Sequence, residues 1–189
     1  MHKALGIVLS GIAAVCVMPL LILYRLRLMA FLSAARVLAL VPGSFGIRLR
    51  RQWYRWTLDA CGTGLVIDWL STFKTPRVRV GDNVYIGAMC WIAEADVGDN
   101  VMVGSRTAIQ GGGRTHGFER LDIPMNQQGG GIVTVRIESD VWIGTGATVL
   151  ADVAPGTVVA AGAVVTAAFP PMSIIAGVPA RFVRSRGAI

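Results

Sequence analysis

His116 is the residue whose type most directly suggests chemistry, because the chain has only 2 histidines and the other, His2, stands at the N-terminus. An imidazole can accept a proton near neutral pH, so His116 could activate a hydroxyl as a general base. It lies in Gly111-Gly112-Gly113-Arg114-Thr115-His116-Gly117-Phe118-Glu119-Arg120-Leu121-Asp122-Ile123-Pro124. By residue type alone, a single histidine in a polar loop is more often a surface residue than a catalyst. Glu119 or Asp122 could orient the ring, but a backbone carbonyl would serve as well, and ordinary surface charge is the commoner role for each. The 3 cysteines, Cys16, Cys61 and Cys90, are too scattered for a disulfide framework or a metal site and read as small apolar fillers in a reducing compartment.

The elements that must hold His116 show in a repeat. From Val80 onward an aliphatic residue returns every six positions, usually followed by a small or acidic one: Val80-Gly81, Ile86-Gly87, Ile92-Ala93 and, after a one-residue slip, Val97-Gly98, Val103-Gly104 and Ile109. The period resumes at Ile137, Ile143-Gly144 and Val149, slips, and returns at Val159 and Val165. Six residues match neither a helical stripe nor strand alternation. They fit a triangular coil whose sides are short strands, in which each aliphatic side chain stacks on its equivalents about 4.8 Å above and below. The fold expected is an all-β parallel β-helix over 80–184. The aperiodic insert, 111–134, is long for a loop, and such inserts are usually functional.

Ahead of the coil, Ala4 to Tyr24 carries no charged side chain, and about 20 such residues can cross a bilayer as a helix. Apolar residues make up 53% of the chain and charged ones only 15%, which also suggests lipid contact. Arg25 and Arg27 follow the apolar run and place that flank in the cytoplasm by the positive-inside rule. They argue, with the poor match to a small-x-small cleavage site, against a removed signal segment. A second apolar stretch, Leu28 to Val41, allows the leader to dip into one leaflet instead of spanning. In Arg48 to Trp56, aromatic residues alternate with arginines; this suits either the headgroup layer or an amphipathic helix packed on the main domain. The net charge of +7 is unaccompanied by any nucleic-acid-binding motif, so nucleic acid is not an expected partner. The division expected is a helical membrane-associated leader (1–58), a connection (59–79), the β-helix (80–184) and a tail (185–189).

The closing segment, Val141-Trp142-Ile143-Gly144 through Ala161-Gly162-Ala163-Val164-Val165-Thr166 to Ile175-Ala176-Gly177-Val178-Pro179-Ala180-Arg181, resembles the hexapeptide-repeat acyltransferases. Those enzymes fold as left-handed β-helices. The resemblance covers residues 76–184 and implies a homotrimer with active sites between subunits, and acetyl-CoA as co-substrate without a metal. His116 occupies the place of the family's catalytic base, and Thr-His-Gly-Phe with the following Asp-Ile-Pro-Met and Gln-Gln-Gly is similar to enzymes acetylating lipopolysaccharide or exopolysaccharide. The acceptor implied is therefore a sugar hydroxyl of a glycan or glycolipid precursor, at the cytoplasmic face of the inner membrane.

The same resemblance assigns Thr145, through hydroxyl or amide, to a contact near the thioester, where a donor would stabilise developing negative charge. It gives Ala161, Gly162 and Thr166 backbone contacts to the pantetheine arm and puts Arg181 and Arg184 near the CoA phosphates. Glu94 and Trp142 are candidate acceptor contacts, Trp142 packing beside the catalytic loop or simply in the core. Ala167 departs from relatives with lysine there, and the turn Asp152-Val153-Ala154-Pro155-Gly156 is shorter, so CoA affinity or donor choice could differ. Carbonic anhydrase, found on the same fold, needs three imidazoles where this domain has one. Another acyl donor or a small-molecule acceptor, and a non-catalytic membrane-attached scaffold, stay open as alternatives.

Overall fold

The computed structural model describes residues 2–112 and 115–187, with backbone only for 2–5. Three helices come first: α1 (His2–Arg25), α2 (Phe31–Ala39) and α3 (Gly43–Thr57). The rest is a parallel β-helix with three faces. One face stacks β1 (Ala60–Cys61), β4 (Arg79–Val80), β7 (Ala95–Val97) and β10 (Val135–Ile137). The second stacks β2 (Val66–Ile67), β5 (Tyr85–Ile86), β8 (Met102–Val103), β11 (Trp142–Ile143), β13 (Val158–Val159) and β15 (Ser173–Ala176), closed by antiparallel β16 (Arg181–Ser185). The third stacks β3 (Thr72–Phe73), β6 (Trp91–Ile92), β9 (Ala108–Ile109), β12 (Thr148–Val149) and β14 (Val164–Val165).

The six-residue period is the inner lining of this coil. Ile86 lies opposite Val103, Val103 opposite Ile143, and Ile143 opposite Val159, all buried. Ile92, Ile109, Val149 and Val165 form the same ladder on the third face. The side chains two positions earlier, such as Val84, Val101, Val141 and Thr157, are buried too, so each strand contributes the second of two inward residues. Complete burial of each aliphatic side chain contributes about 1.5–3 kcal/mol against an extended-chain reference.

The outer surfaces of the faces differ. The first presents Arg79, Asp96 and Arg136; the second presents Tyr85, Met102 and Trp142, each exposed or nearly so and apolar. Two of the three corners are regular turns with one residue in the left-handed region on each rung. Asn83, Asn100 and Asp140 take this conformation at one corner, and Leu70, Met89 and Arg106 at the next. Asn and Asp adopt it readily. The third corner, between the third and first faces, varies in length, and the insert leaves from it.

One sequence expectation is corrected, and one pair of open alternatives is narrowed. Residues 59–79 are not a connection: β1, β2 and β3 form the first rung and pair in register with β4, β5 and β6. Cys61, Ile67 and Phe73 keep the period of six, but cysteine and phenylalanine replace the aliphatic residue at two of the three positions. Arg48 to Trp56 takes the second of its two expected forms, an amphipathic helix packed on the main domain. It lies within α3, whose Trp53 and Tyr54 are fully buried and whose Tyr54 ring meets Phe73 edge-on at 4.8 Å. Arg50 is also buried; its Nε donates to Ile67 O at 2.9 Å and its Nη1 to Leu38 O and Val41 O at 3.1 and 2.7 Å. The helices thereby plug the open end of the coil. At the far end, Arg186 of the expected tail pairs with Asp140 at 2.7 Å and donates to Gly156 O at 3.2 Å.

Candidate active site

The insert is a two-limbed arm rooted at the variable corner. Gln110 N donates to Val149 O at 3.0 Å, which keeps the chain in the coil until the arm begins, and Val133 N donates to Gly111 O at 3.0 Å across its base. Farther out the limbs touch backbone to backbone. A Cβ on Gly130 would stand 2.2 Å from Thr115 O and 2.6 Å from His116 Cα, so only glycine lets the returning limb pass here. The tip is stapled by Gln128, whose Nε2 donates to Arg120 O at 2.7 Å and Ile123 O at 3.2 Å while its Oε1 accepts from Arg120 N at 3.1 Å. His116 sits between these two clamps, exposed to solvent. Its ring makes no hydrogen bond or ion pair with the other described residues; Gly113 and Arg114, part of the same motif, lie outside them.

Neither carboxylate is seen orienting the ring. Asp122 is held by the Arg120 guanidinium, which also lowers its pKa, and Glu119 accepts from the Phe118 amide at 3.1 Å. Glu94 does lie near the arm: it lines a small recess with Lys74, Gln110, Gly111 and Thr115. Its Oε2 is 3.1 Å from Arg77 Nη2, an ion pair without an aligned hydrogen bond.

Thr145, Ala161 and Gly162 form a column at the corner between the second and third faces. Gly162 N donates to Thr145 O at 2.9 Å, and a Cβ on Gly144 would stand 2.4 Å from Ala161 N. All three column residues are exposed, and no acceptor among the described residues faces the amides of Thr145 and Ala161. Such outward N–H groups suit an amide-rich chain or a carbonyl that gains charge. Arg181 lies at the head of this column, opposite Ala176, with Arg184 opposite Ile174. Thr166 lies at the other edge of the third face, on the side from which the arm departs. The two edges are separated by the five-residue step from Thr145 to Leu150, about 16 Å at roughly 3.3 Å per residue.

Trp142 faces outward and is not part of the core. It is 52% exposed, and the groove it lines is bounded by Asn100, Met102, Asp140, Val158 and Arg186, with nothing from the arm. The strand alternation turns Ile143 inward and Trp142 outward. Gln128 and Gly130 were not singled out from the sequence as structural clamps; glycine clusters at 111–113 and 129–131 were the available signal. Among the described residues no group of three His, Cys, Asp or Glu is placed to hold a metal ion.

A hexapeptide-repeat coil with a histidine-bearing arm at its one irregular corner defines a class, and comparison with known proteins agrees. The family described as "Hexapeptide repeat of succinyl-transferase" matches residues 77–105 and 134–167. Rv3034c of Mycobacterium tuberculosis, named a probable acetyltransferase, is 32% identical over 58% of this chain and 31% of its own length. WbbJ of Escherichia coli, named for O-acetyl transfer in lipopolysaccharide biosynthesis, is 31% identical over 67% of this chain and 64% of its own. The chain thus spans under two thirds of either relative. Among solved structures, the hexapeptide-repeat acetyltransferase VCA0836 of Vibrio cholerae is 27% identical with a TM-score of 0.67, covering 83% of this chain and 93% of that one; it is also known complexed with acetyl coenzyme A. In repeat, sequence and fold the chain is thus similar to the hexapeptide-repeat acetyltransferases.

Proposed function

We propose that this protein is an acetyl-CoA-dependent O-acetyltransferase that acts on a sugar hydroxyl of a cell-surface glycan precursor, with His116 as general base. The observation that carries the reading is the arm: the one long departure from the coil presents the repeat domain's single histidine on a limb fixed by glycine and glutamine clamps. In the reaction the imidazole takes the acceptor hydroxyl's proton as its oxygen attacks the thioester carbonyl. The tetrahedral intermediate then expels the CoA sulfur, which takes the proton from the His116 imidazolium and leaves as the thiol. The outward amide or hydroxyl of Thr145 would stabilise the intermediate's oxyanion. The unpaired Ala161 amide, Gly162, Thr166, Arg181 and Arg184 would hold the pantetheine arm and phosphates.

Within one chain the arm and the Thr145 column occupy opposite edges of a face, which supports a site completed by a neighbouring subunit of a homotrimer. Exposed apolar residues on the arm, Phe118 and Leu121 among them, and the Tyr85–Met102–Trp142 stripe would then meet that neighbour. Trp142 would serve there, and Glu94 beneath the arm would contact the acceptor. The apolar helices would attach the protein to the cytoplasmic side of the inner membrane, where acetyl-CoA and a lipid-linked acceptor are both at hand.

The test is acetyl-CoA turnover by detergent-purified protein, followed as free thiol, with and without a bacterial glycolipid extract. Acceptor-dependent release that falls at least about a hundredfold in His116→Ala supports the reading. Equal turnover by the variant removes His116 from the mechanism, and absence of CoA binding removes the enzyme reading itself.

A further inference from the structure

Building on the membrane attachment just proposed, we infer that α1 lies along the bilayer surface, its outer face in the headgroup–acyl boundary of an anionic leaflet, and does not cross the membrane. By length and composition alone α1 could cross: Gly6–Arg25 is apolar enough, and the whole helix is about 36 Å long at roughly 1.5 Å per residue, against about 30 Å of hydrocarbon. Its neighbours decide otherwise.

The helix is tied to α3 along its length. Near its start, Gly6 faces the Arg48 guanidinium, with Nη2 3.9 Å from the position of a Cβ. In its middle, Ala13 and Val17 are fully buried. At its end the Tyr24 ring lies 5.5 Å from that of Trp53, and Arg25 Nη2 donates to Trp56 O at 3.2 Å. α3 in turn is fixed to the first rung of the coil, where Arg50 donates to Ile67 O at 2.9 Å and Arg51 to Leu65 O at 2.5 Å. An upright α1 would therefore carry α3, with Arg48 and Arg51, and the start of the coil into hydrocarbon. Guanidinium groups and open strand edges are not tolerated there.

Lying flat meets every constraint. The side of α1 away from α3 exposes Ile7, Val8, Ile12, Val15, Met18 and Ile22, which recur at helical spacing as one apolar stripe. Leu26 and Leu28 extend it beyond the helix, and Val37 and Leu40 of the α2 region are exposed too. Arginines 25, 27 and 36 lie exposed alongside, and residues 1–58 contain no Asp or Glu, so the segment's charge complements anionic headgroups.

The test places a single reporter thiol at either end of α1, Lys3→Cys or Arg27→Cys, in the full chain with Cys16, Cys61 and Cys90 all replaced by Ala. Sealed inverted and right-side-out membrane vesicles from expressing cells are treated with a membrane-impermeant maleimide. The inference expects both reporters to label from the same side, without detergent, in one vesicle orientation and neither in the other. Labelling of the two reporters from opposite sides would overturn it in favour of a crossing helix. A chain absent from the membrane fraction, and failing to float with vesicles containing an anionic phospholipid, would overturn the membrane reading beneath it. A second variant, Ile12→Asp with Val15→Asp, should lose flotation at least tenfold while its melting temperature is unchanged; undiminished flotation would show that another surface makes the contact.

Discussion

The coil and the arm of this protein are built on opposite terms. In the coil nearly every inward side chain is aliphatic and lies over its equivalent one rung away, as Ile143 lies between Val103 and Val159. In the arm, the described residues from 115 to 133 contribute no fully buried side chain; shape comes from glycine contacts and the hydrogen bonds of Gln128. Burial makes the coil stable and indifferent to sequence detail at its surface. The arm is left free to carry polar chemistry but depends on a few contacts for its geometry. Stability and activity should therefore fail separately when the two regions are altered.

The sharpest separation comes from His116→Ala, which should lower thiol release by roughly 10²–10⁴-fold while leaving the melting temperature of the exposed site unchanged. Ile143→Ala should do the reverse, costing about 2–5 kcal/mol in urea unfolding, with activity per folded molecule preserved. Gly130→Val tests the arm's dependence on backbone approach. Its side chain would push on Thr115 and His116, and turnover should fall roughly ten- to a hundredfold with little change in stability. If stability fell instead, the arm would be a structural part of the coil.

Two smaller effects belong to the coil's ends and corners. Arg50→Met would leave the carbonyls of Leu38, Val41 and Ile67 without their buried donor, and should destabilise the helical plug by about 1–3 kcal/mol in denaturant unfolding. At a corner, Asp82 accepts from the Thr63 amide and hydroxyl, which lowers its pKa. A carboxylate with a depressed folded pKa contributes stability that is present above its unfolded pKa of about 3.9 and is lost as pH falls through the lower folded value. Asp82→Asn should flatten that part of the acid limb in thermal melts, and an unchanged limb would assign acid sensitivity to other carboxylates.

Much of the coil was legible because a stacked core imposes its period directly on the chain. The aliphatic positions that the period marks between Val80 and Val165, slips included, are the buried ones. The first rung escaped notice where Cys61 and Phe73 stand in for aliphatic residues, although Val80 and Ile92 lie opposite them as in any other rung. His116 was legible from its type and its place in an aperiodic insert. The clamps that hold it were not, since Gly130 and Gln128 act on residues 5 to 15 positions away, through contacts that no local spacing encodes.

Sequence alone determined the inward ladder, the place of the insert and the identity of its histidine, because each follows from a repeat and its interruption. Tertiary structure alone decided that Trp142 faces out, that Arg50 is buried at the mouth of the coil, and that α1 is bound along α3. Those outcomes depend on which surfaces meet after the chain has folded. An apolar or charged residue has the same local signature whether its partner is water, lipid or another part of the protein.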